Sequence, residues 1–269
     1  MTKADSGRVN TPSLQRRRLI RRIVICAGAV ALAAMGYAEA RSYELGRELV
    51  RENPDSIPAN ATLFSYANAL GRATYEGNCA SCHGAELKGD PTKGVPNLSD
   101  DVWLYDYGRI SDIERTVLYG IRSGDPRSHN VTDMPAVGLQ KTLTPAEIKD
   151  VIAFVRSLNK RNQDPAAVKR GEDIFEDKGV CYDCHSRDGA GISDYGAPDL
   201  ADDEWLFGGD DASIFKSIYD GRHGKCPAFI GKLGFPAIRA VAVYIHSMSQ
   251  ESADSPNRAA DETKDSPHG

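Results

Sequence analysis

The sequence "CASCH" at 79–83 returns as "CYDCH" at 181–185, and this repetition limits the fold more than any other feature. "VPNLSDDVWLY" at 95–105 returns as "APDLADDEWLF" at 197–207 with the same offset and no gap. Ile113, Val117 and Gly120 answer to Ile214, Ile218 and Gly221. "MPAVG" from Met134 answers to "CPAFI" from Cys226, the first copy carrying eight or nine extra residues before it. A chain of 269 residues has room for two ordinary domains with a core each. The repetition says that they are two copies of one small domain.

Each copy reads as helix, C-x-x-C-H motif, loop, short helix, loop, helix. In the first, Thr144, Pro145 and Glu147 form a helix-start signature. Ile148, Val151, Ile152, Val155 and Leu158 then continue as one apolar stripe at helical spacing. Ile238, Val241, Ala242, Ile245 and Met248 repeat the stripe in the second copy. No strand pattern stands out, so the fold class predicted is all-α. The domains are placed at 60–160 and 165–249, joined by the polar, proline-closed linker "NKRNQDP" at 159–165. Residues 250–269 have almost no apolar content, which predicts a disordered tail.

Residues 1–40 form a basic N-terminus and an apolar segment. Ile23–Ala38 carries no charge, and Lys3, Arg8, Arg16, Arg17, Arg18, Arg21 and Arg22 precede it against the single acid Asp5. Positive charge ahead of an apolar run stays in the cytoplasm and sends the downstream chain across the membrane. The segment accords with a retained anchor in a bacterial inner membrane, the domains lying in the periplasm. "AEA" at 38–40 supports the alternative, a signal peptide cleaved near Ala40 that leaves a soluble periplasmic protein. Seven of the 33 Lys and Arg and two of the 38 Asp and Glu lie before Arg41, so residues 41–269 carry a formal charge of −10. That acidity speaks against nucleic acid and suits a small basic protein partner, though it also serves solubility alone.

C-x-x-C-H is the attachment signal for c-type haem. Two thiols add to the vinyl groups of one porphyrin, and the adjoining histidine binds iron. A thioredoxin-like pair does not require that histidine, and no further zinc ligands stand at usable spacing. Cys79, Cys82 and His83 are therefore predicted to hold one haem c, and Cys181, Cys184 and His185 a second. Met134, before a proline in a loop after His83, is the expected distal ligand of the first haem. Arg122 and Arg222 either face haem propionates or lie at the surface, and Trp103 and Trp205 read as core packing.

"YANALGRATYEGNCASCHGAELKG", "GVPNLSDDVWLY", "GIRSGDP" and "MPAVG" resemble the first haem domain of subunit III of cbb-type haem-copper cytochrome c oxidases. "GAPDLADDEWLFGGDDASIFKSIYDGRHGKCPAF" resembles that subunit's second domain. The resemblance covers roughly residues 64–248 and implies tandem class I cytochrome c domains with His/Met ligation. It also implies a carbonyl contact from Pro96 and Pro198 to each proximal histidine. In function, it implies an electron-transfer subunit that passes electrons from a soluble cytochrome c to the haem-copper catalytic subunit. The chain departs from the family in lacking the Pro-Arg-Trp-Trp element before the membrane helix. It departs again at Cys226, which stands where the family has its second methionine. Aligned with Met134, Cys226 is expected over the second haem, opposite His185, with His223 or an open site as alternatives. Two further functions accord with these residues. One is a stand-alone carrier for another periplasmic redox enzyme. The other is a dihaem oxidoreductase of the thiosulfate dehydrogenase kind, with a His/Cys catalytic haem; in those enzymes that haem belongs to the first domain.

Overall fold

The computed structural model describes residues 14–129, 133–161 and 163–253. The expectations for Lys3, Asp5 and Arg8, and for the tail beyond residue 253, lie outside the described residues. The chain divides into two compact units, Met1–Glu48 and Leu49–Gly269.

The first unit holds most of α1, Leu14–Arg51, a helix of 38 residues. At 1.5 Å per residue it is about 57 Å long. It runs without a break through Ala38-Glu39-Ala40. Ile23, Val24, Ile25, Val30, Leu32 and Met35 are all exposed along it. The helix is long and apolar enough to cross a membrane.

The second unit is helical, and among its described residues no strand forms, only isolated bridges. In the first copy α2 is Ala61–Asn78, α3 Ala80–His83, α4 Ile110–Tyr119 and α5 Pro145–Leu158. In the second, α6 is Pro165–Glu176, α7 Tyr182–His185, α8 Asp211–Asp220 and α9 Phe235–Ala253. The capping signature at α5 forms as its residues dictate: Thr144 Oγ1 accepts from Glu147 N at 3.3 Å, and Glu147 Oε2 accepts from Thr144 N at 2.8 Å. Asp164 caps α6 by accepting from the amides of Ala166 and Ala167. Most of both apolar stripes is buried: Ile148, Val151, Ile152 and Val155 on α5, and Ile238, Val241, Ala242 and Ile245 on α9. Leu158 and Met248 are half-buried.

The two copies exchange their last helices. Helix α2 packs on α9, and α5 packs on α6, so each helix crossing joins the first copy to the second. Both crossings are made at a glycine. A Cβ on Gly71 would meet the carbonyl of Ala240 and come 2.7 Å from the Tyr244 Cβ. A Cβ on Gly171 would meet the carbonyl of Asp150 and come 2.9 Å from the Phe154 Cβ. One turn on, Tyr75 meets Tyr244 with ring centroids 5.7 Å apart, and Phe175 meets Phe154 at 5.1 Å. The second lobe is therefore contiguous in sequence, its core joining α5 to α6 and α8. The first lobe is built from α2, α3 and α4 and closed by α9 from the far end of the chain.

Two half-buried ties hold α9 in the first lobe. Arg239 Nε reaches Glu114 Oε2 on α4 at 2.8 Å, and its NH1 donates to the carbonyls of Leu49 and Glu52 at 3.0 and 2.8 Å. His246 Nδ1 lies 3.0 Å from the Gly108 carbonyl. The repeated loops also cross. Tyr105 covers Gly196 of the second copy, and its counterpart Phe207 covers Gly94 of the first.

This connectivity has two testable outcomes. A chain cut at a protease site placed between Leu158 and Pro165 should keep both fragments together on gel filtration until denaturant is added. Fragments that separate without denaturant would contradict the exchange. Arg239→Ala leaves the Glu114 carboxylate buried without its partner, at a cost of about 3–5 kcal/mol. Thermal unfolding should record this as a fall on the order of 10 °C.

Candidate haem sites

Each motif forms one helical turn at the end of a longer helix. In the first, the amides of Cys82 and His83 donate to the Cys79 carbonyl at 3.1 and 3.0 Å. In the second, those of Cys184 and His185 donate to the Cys181 carbonyl at 3.2 and 3.0 Å. The turn places the two thiols on one side and carries the imidazole just beyond them, because residues three and four apart share a helix face.

The proximal histidines are fixed alike. His83 Nδ1 lies 3.2 Å from the Pro96 carbonyl, and His185 Nδ1 lies 3.1 Å from the Pro198 carbonyl. A carbonyl only accepts, so Nδ1 carries the proton and Nε2 keeps the lone pair that binds a metal. Burial pushes both imidazoles below the ordinary range, with the proline carbonyls acting against it. The result is a neutral ring, the form that ligates. Pro96 and Pro198 thus stand where the resemblance implied.

The third element of each site comes from the other copy. The amide of Ile121, just past α4, donates to the Cys226 carbonyl at 2.9 Å, and the Cys226 amide returns a bond to Ile121 at 3.0 Å. The next turns continue this attachment, with Phe229 and Ile230 donating to Val117 and Leu118 at 3.1 Å each. In the second lobe Met134 and Arg222, just past α8, exchange two bonds of 3.2 and 3.1 Å. Met134 packs on the core that includes Phe175 and Ile218, together with Cys181 and Tyr182. Burial pushes the Cys226 thiol up to about 11, with the Cys82 sulfur adding to the shift. Cys79 is raised to about 11 by burial first and then by the neighbouring Cys226 and Cys82. Cys226 thus lies beside the first motif and Met134 beside the second. The reason is the helix exchange, which carries each loop with its helix. Glycine is required where each loop docks, because Gly120 and Gly221 have φ of +75° and +72°, left-handed backbone that favours glycine.

The remaining polar residues gather at the crossover. Arg122 pairs through Nε with Asp133 and donates from NH1 to the Tyr105 hydroxyl at 2.8 Å. His223 Nδ1 lies 3.2 Å from the other Asp133 oxygen, and the His223 side chain is about half exposed (54%). Arg222 donates to Ser217 Oγ at 2.8 Å and lies 3.8 Å over the Phe207 ring. His129, which the sequence pattern did not single out, is buried and stacks on Tyr105 at 4.4 Å. Trp205 does pack on the second core, yet its Nε1 is buried with no hydrogen-bond partner among the described residues.

This donor set fits haem c. Each site offers two unbridged thiols on one turn and a neutral imidazole held by a carbonyl, and a sulfur-bearing loop from the other copy borders it. The Trp205 indole N–H, with no partner among the described residues, belongs to a side chain packed on the same core as Cys181.

Residues 68–159 match the cytochrome c family, and residues 166–245 match the family described as cytochrome c oxidase, cbb3-type, subunit III. The chain is 40% identical over 196 residues to the cbb3-type cytochrome c oxidase subunit FixP of Bradyrhizobium sp. (strain ORS 278), covering 71% of this chain and 64% of that relative. It is 36% identical over 212 residues to subunit CcoP of Cereibacter sphaeroides, covering 79% of this chain and 71% of the relative. It is 33% identical over 219 residues to FixP of Sinorhizobium medicae, covering 81% and 72%. The chain thus spans a little under two thirds of the length of the Bradyrhizobium relative. Cytochrome c domains carry covalently bound haem c. With both motifs lying inside the matched segments, the chain belongs to the subunit III family of cbb3-type cytochrome c oxidases.

Proposed function

We propose that this protein is the dihaem electron-entry subunit of a cbb3-type cytochrome c oxidase, anchored by α1 with its haem lobes in the periplasm. The observation that carries the reading is the duplicated site: two C-x-x-C-H turns, each with its histidine held by a proline carbonyl at 3.2 or 3.1 Å. Two such sites in one unit form a relay. Cys79 and Cys82 attach one haem c, Cys181 and Cys184 the other, and His83 and His185 bind the irons. The chemistry the bound group supplies is one-electron transfer, and the protein contributes position, ligation and exclusion of water. Electrons arrive from a small soluble cytochrome c, for which the net acidity of residues 41–269 favours a basic donor. They leave to the haem-copper catalytic subunit.

One observation favours a second reading. Cys226 lies beside the first motif, and a His/Cys haem in the first domain is the arrangement of the thiosulfate dehydrogenases. On that reading the chain oxidises a small sulfur compound itself.

Three measurements separate the readings. Denatured protein should retain its haem absorbance with a mass excess of two haem groups; one or none would end the dihaem reading. Purified in mild detergent, the protein should bring with it a haem-copper subunit that reduces oxygen, and its reduction by a basic cytochrome c should slow with added salt. Thiosulfate turnover abolished by Cys226→Met, without any oxidase partner, would select the second reading.

A further inference from the structure

The helix exchange has a consequence for the two irons. In chain order, each C-x-x-C-H motif is followed by its own loop with a sulfur ligand. In space, the loop docked past α4, in the lobe of the first motif, is the one bearing Cys226, and the loop docked past α8, against the core that includes Cys181, is the one bearing Met134. The two dockings are the same construction. Each uses a reciprocal backbone pair, Ile121 with Cys226 and Arg222 with Met134, directly after a positive-φ glycine. A Cβ on Gly120 would come 2.8 Å from the Pro227 carbonyl carbon, and one on Gly221 would come 2.8 Å from the Ala136 amide nitrogen. Both loops are therefore pressed against their helix ends at the same place relative to the sulfur. His223, the other candidate ligand on the Cys226 loop, has a side chain about half exposed and pairs through Nδ1 with Asp133.

We propose that the haem attached at Cys79 and Cys82 is ligated by His83 and the Cys226 thiolate, and the haem attached at Cys181 and Cys184 by His185 and the Met134 thioether. The proposal rests on the reading of the chain as a dihaem cytochrome c. When Cys226 binds ferric iron, its S–H bond breaks, the proton leaves to solvent and an iron–sulfur bond forms, with no change in oxidation state. The anionic thiolate stabilises ferric iron, whereas a neutral thioether raises the potential. The first haem is therefore the low-potential one, the reverse of the order that the repeat alignment gives.

The test uses the full chain, beginning with its mass. A mass short of two haems sinks the dihaem reading and the assignment with it; two haems with the wrong ligation sink the assignment alone. Low-temperature EPR of the ferric protein should show a thiolate-ligated low-spin signal. That signal should persist in the variant Cys181→Ala/Cys184→Ala and vanish in Cys79→Ala/Cys82→Ala. In Cys226→Met, which keeps both haems, the signal should vanish and the lower of the two midpoints should rise towards the other. Absence of the signal in the unaltered chain, or its survival with the second haem alone, would overturn the proposal. Should the single-haem variants fail to mature, an experimental structure of the haem-loaded chain decides. Cys226 Sγ bonded to the iron of the porphyrin attached at Cys79 supports the assignment, and Met134 or His223 in that position refutes it.

Discussion

Gly71 has no side chain because the Ala240 carbonyl and the Tyr244 Cβ stand where one would begin. That crossing of α2 with α9, and its twin at Gly171, determines how the rest of the haem-bearing unit is connected. A cytochrome c lobe needs a first and a last helix packed across each other. Here the first lobe takes its last helix from the far end of the chain. The second lobe lies whole between Met134 and Arg222 and can assemble from neighbouring segments. The first cannot close until α9 has been made, after an intervening lobe, and contacts of such separation form slowly. The Arg239–Glu114 pair, with the Leu49 and Glu52 carbonyls on the same guanidinium, fixes that late-arriving helix.

The exchange also brings the two sites to a common wall. Arg222 is bonded to Met134, and four residues later Cys226 is bonded to Ile121. An extended chain covers at most ~3.6 Å per residue, so the two attachments are no more than about 14 Å apart along this segment. Around it lie Arg122, Asp133, His223 and Tyr105 in one hydrogen-bonded group. The repeated loops interlock as well, with Tyr105 over Gly196 and Phe207 over Gly94. Each of these glycines lies two residues before the proline whose carbonyl holds a histidine. An aromatic side chain from one lobe thus touches the loop that orients the metal-binding ring of the other.

Much of this was legible from residue order. The repeat exposed two helix–motif–helix units, the apolar stripes of α5 and α9 named the buried faces, and Thr144 with Glu147 marked where α5 begins. Pro96 and Pro198 stand where the family resemblance implied, because the loop between motif and proline has the same length in both copies. That the Cys226 loop docks past α4 and the Met134 loop past α8 was not legible. Two copies of one domain have the same complementary faces, so α2 can receive α5 or α9 by identical glycine and aromatic contacts. Sequence pattern specifies the contact and leaves the partner open; the connections decide it. His129 and the Trp205 N–H were missed for another reason. Neither lies in a periodic pattern, and their significance comes from burial and from partners distant in sequence.

The near-identity of the two proximal sides directs attention to the sulfurs. The imidazole–carbonyl contacts differ by a tenth of an ångström, the motif turns are alike, and both histidines are kept neutral by burial. Little on that side can set the two irons apart. On the distal side the backbone is again the same, yet one loop presents a thioether and the other a thiol that burial holds at about 11. A duplicated scaffold has thus been made asymmetric at one atom pair. On the ligation proposed above, a haem with bound thiolate would lie uphill for electrons from a donor of ordinary potential, and transfer through it would depend on the neighbouring haem drawing the electron onward. Because Arg222, bonded to Met134, and Cys226 lie on one short segment, a change of ligation at one iron would, on that proposal, act on the loop that serves the other. A relay of equal haems would need only the repeat. An unequal pair with linked ligand loops, as proposed, would make electron flow through the site depend on its own redox state.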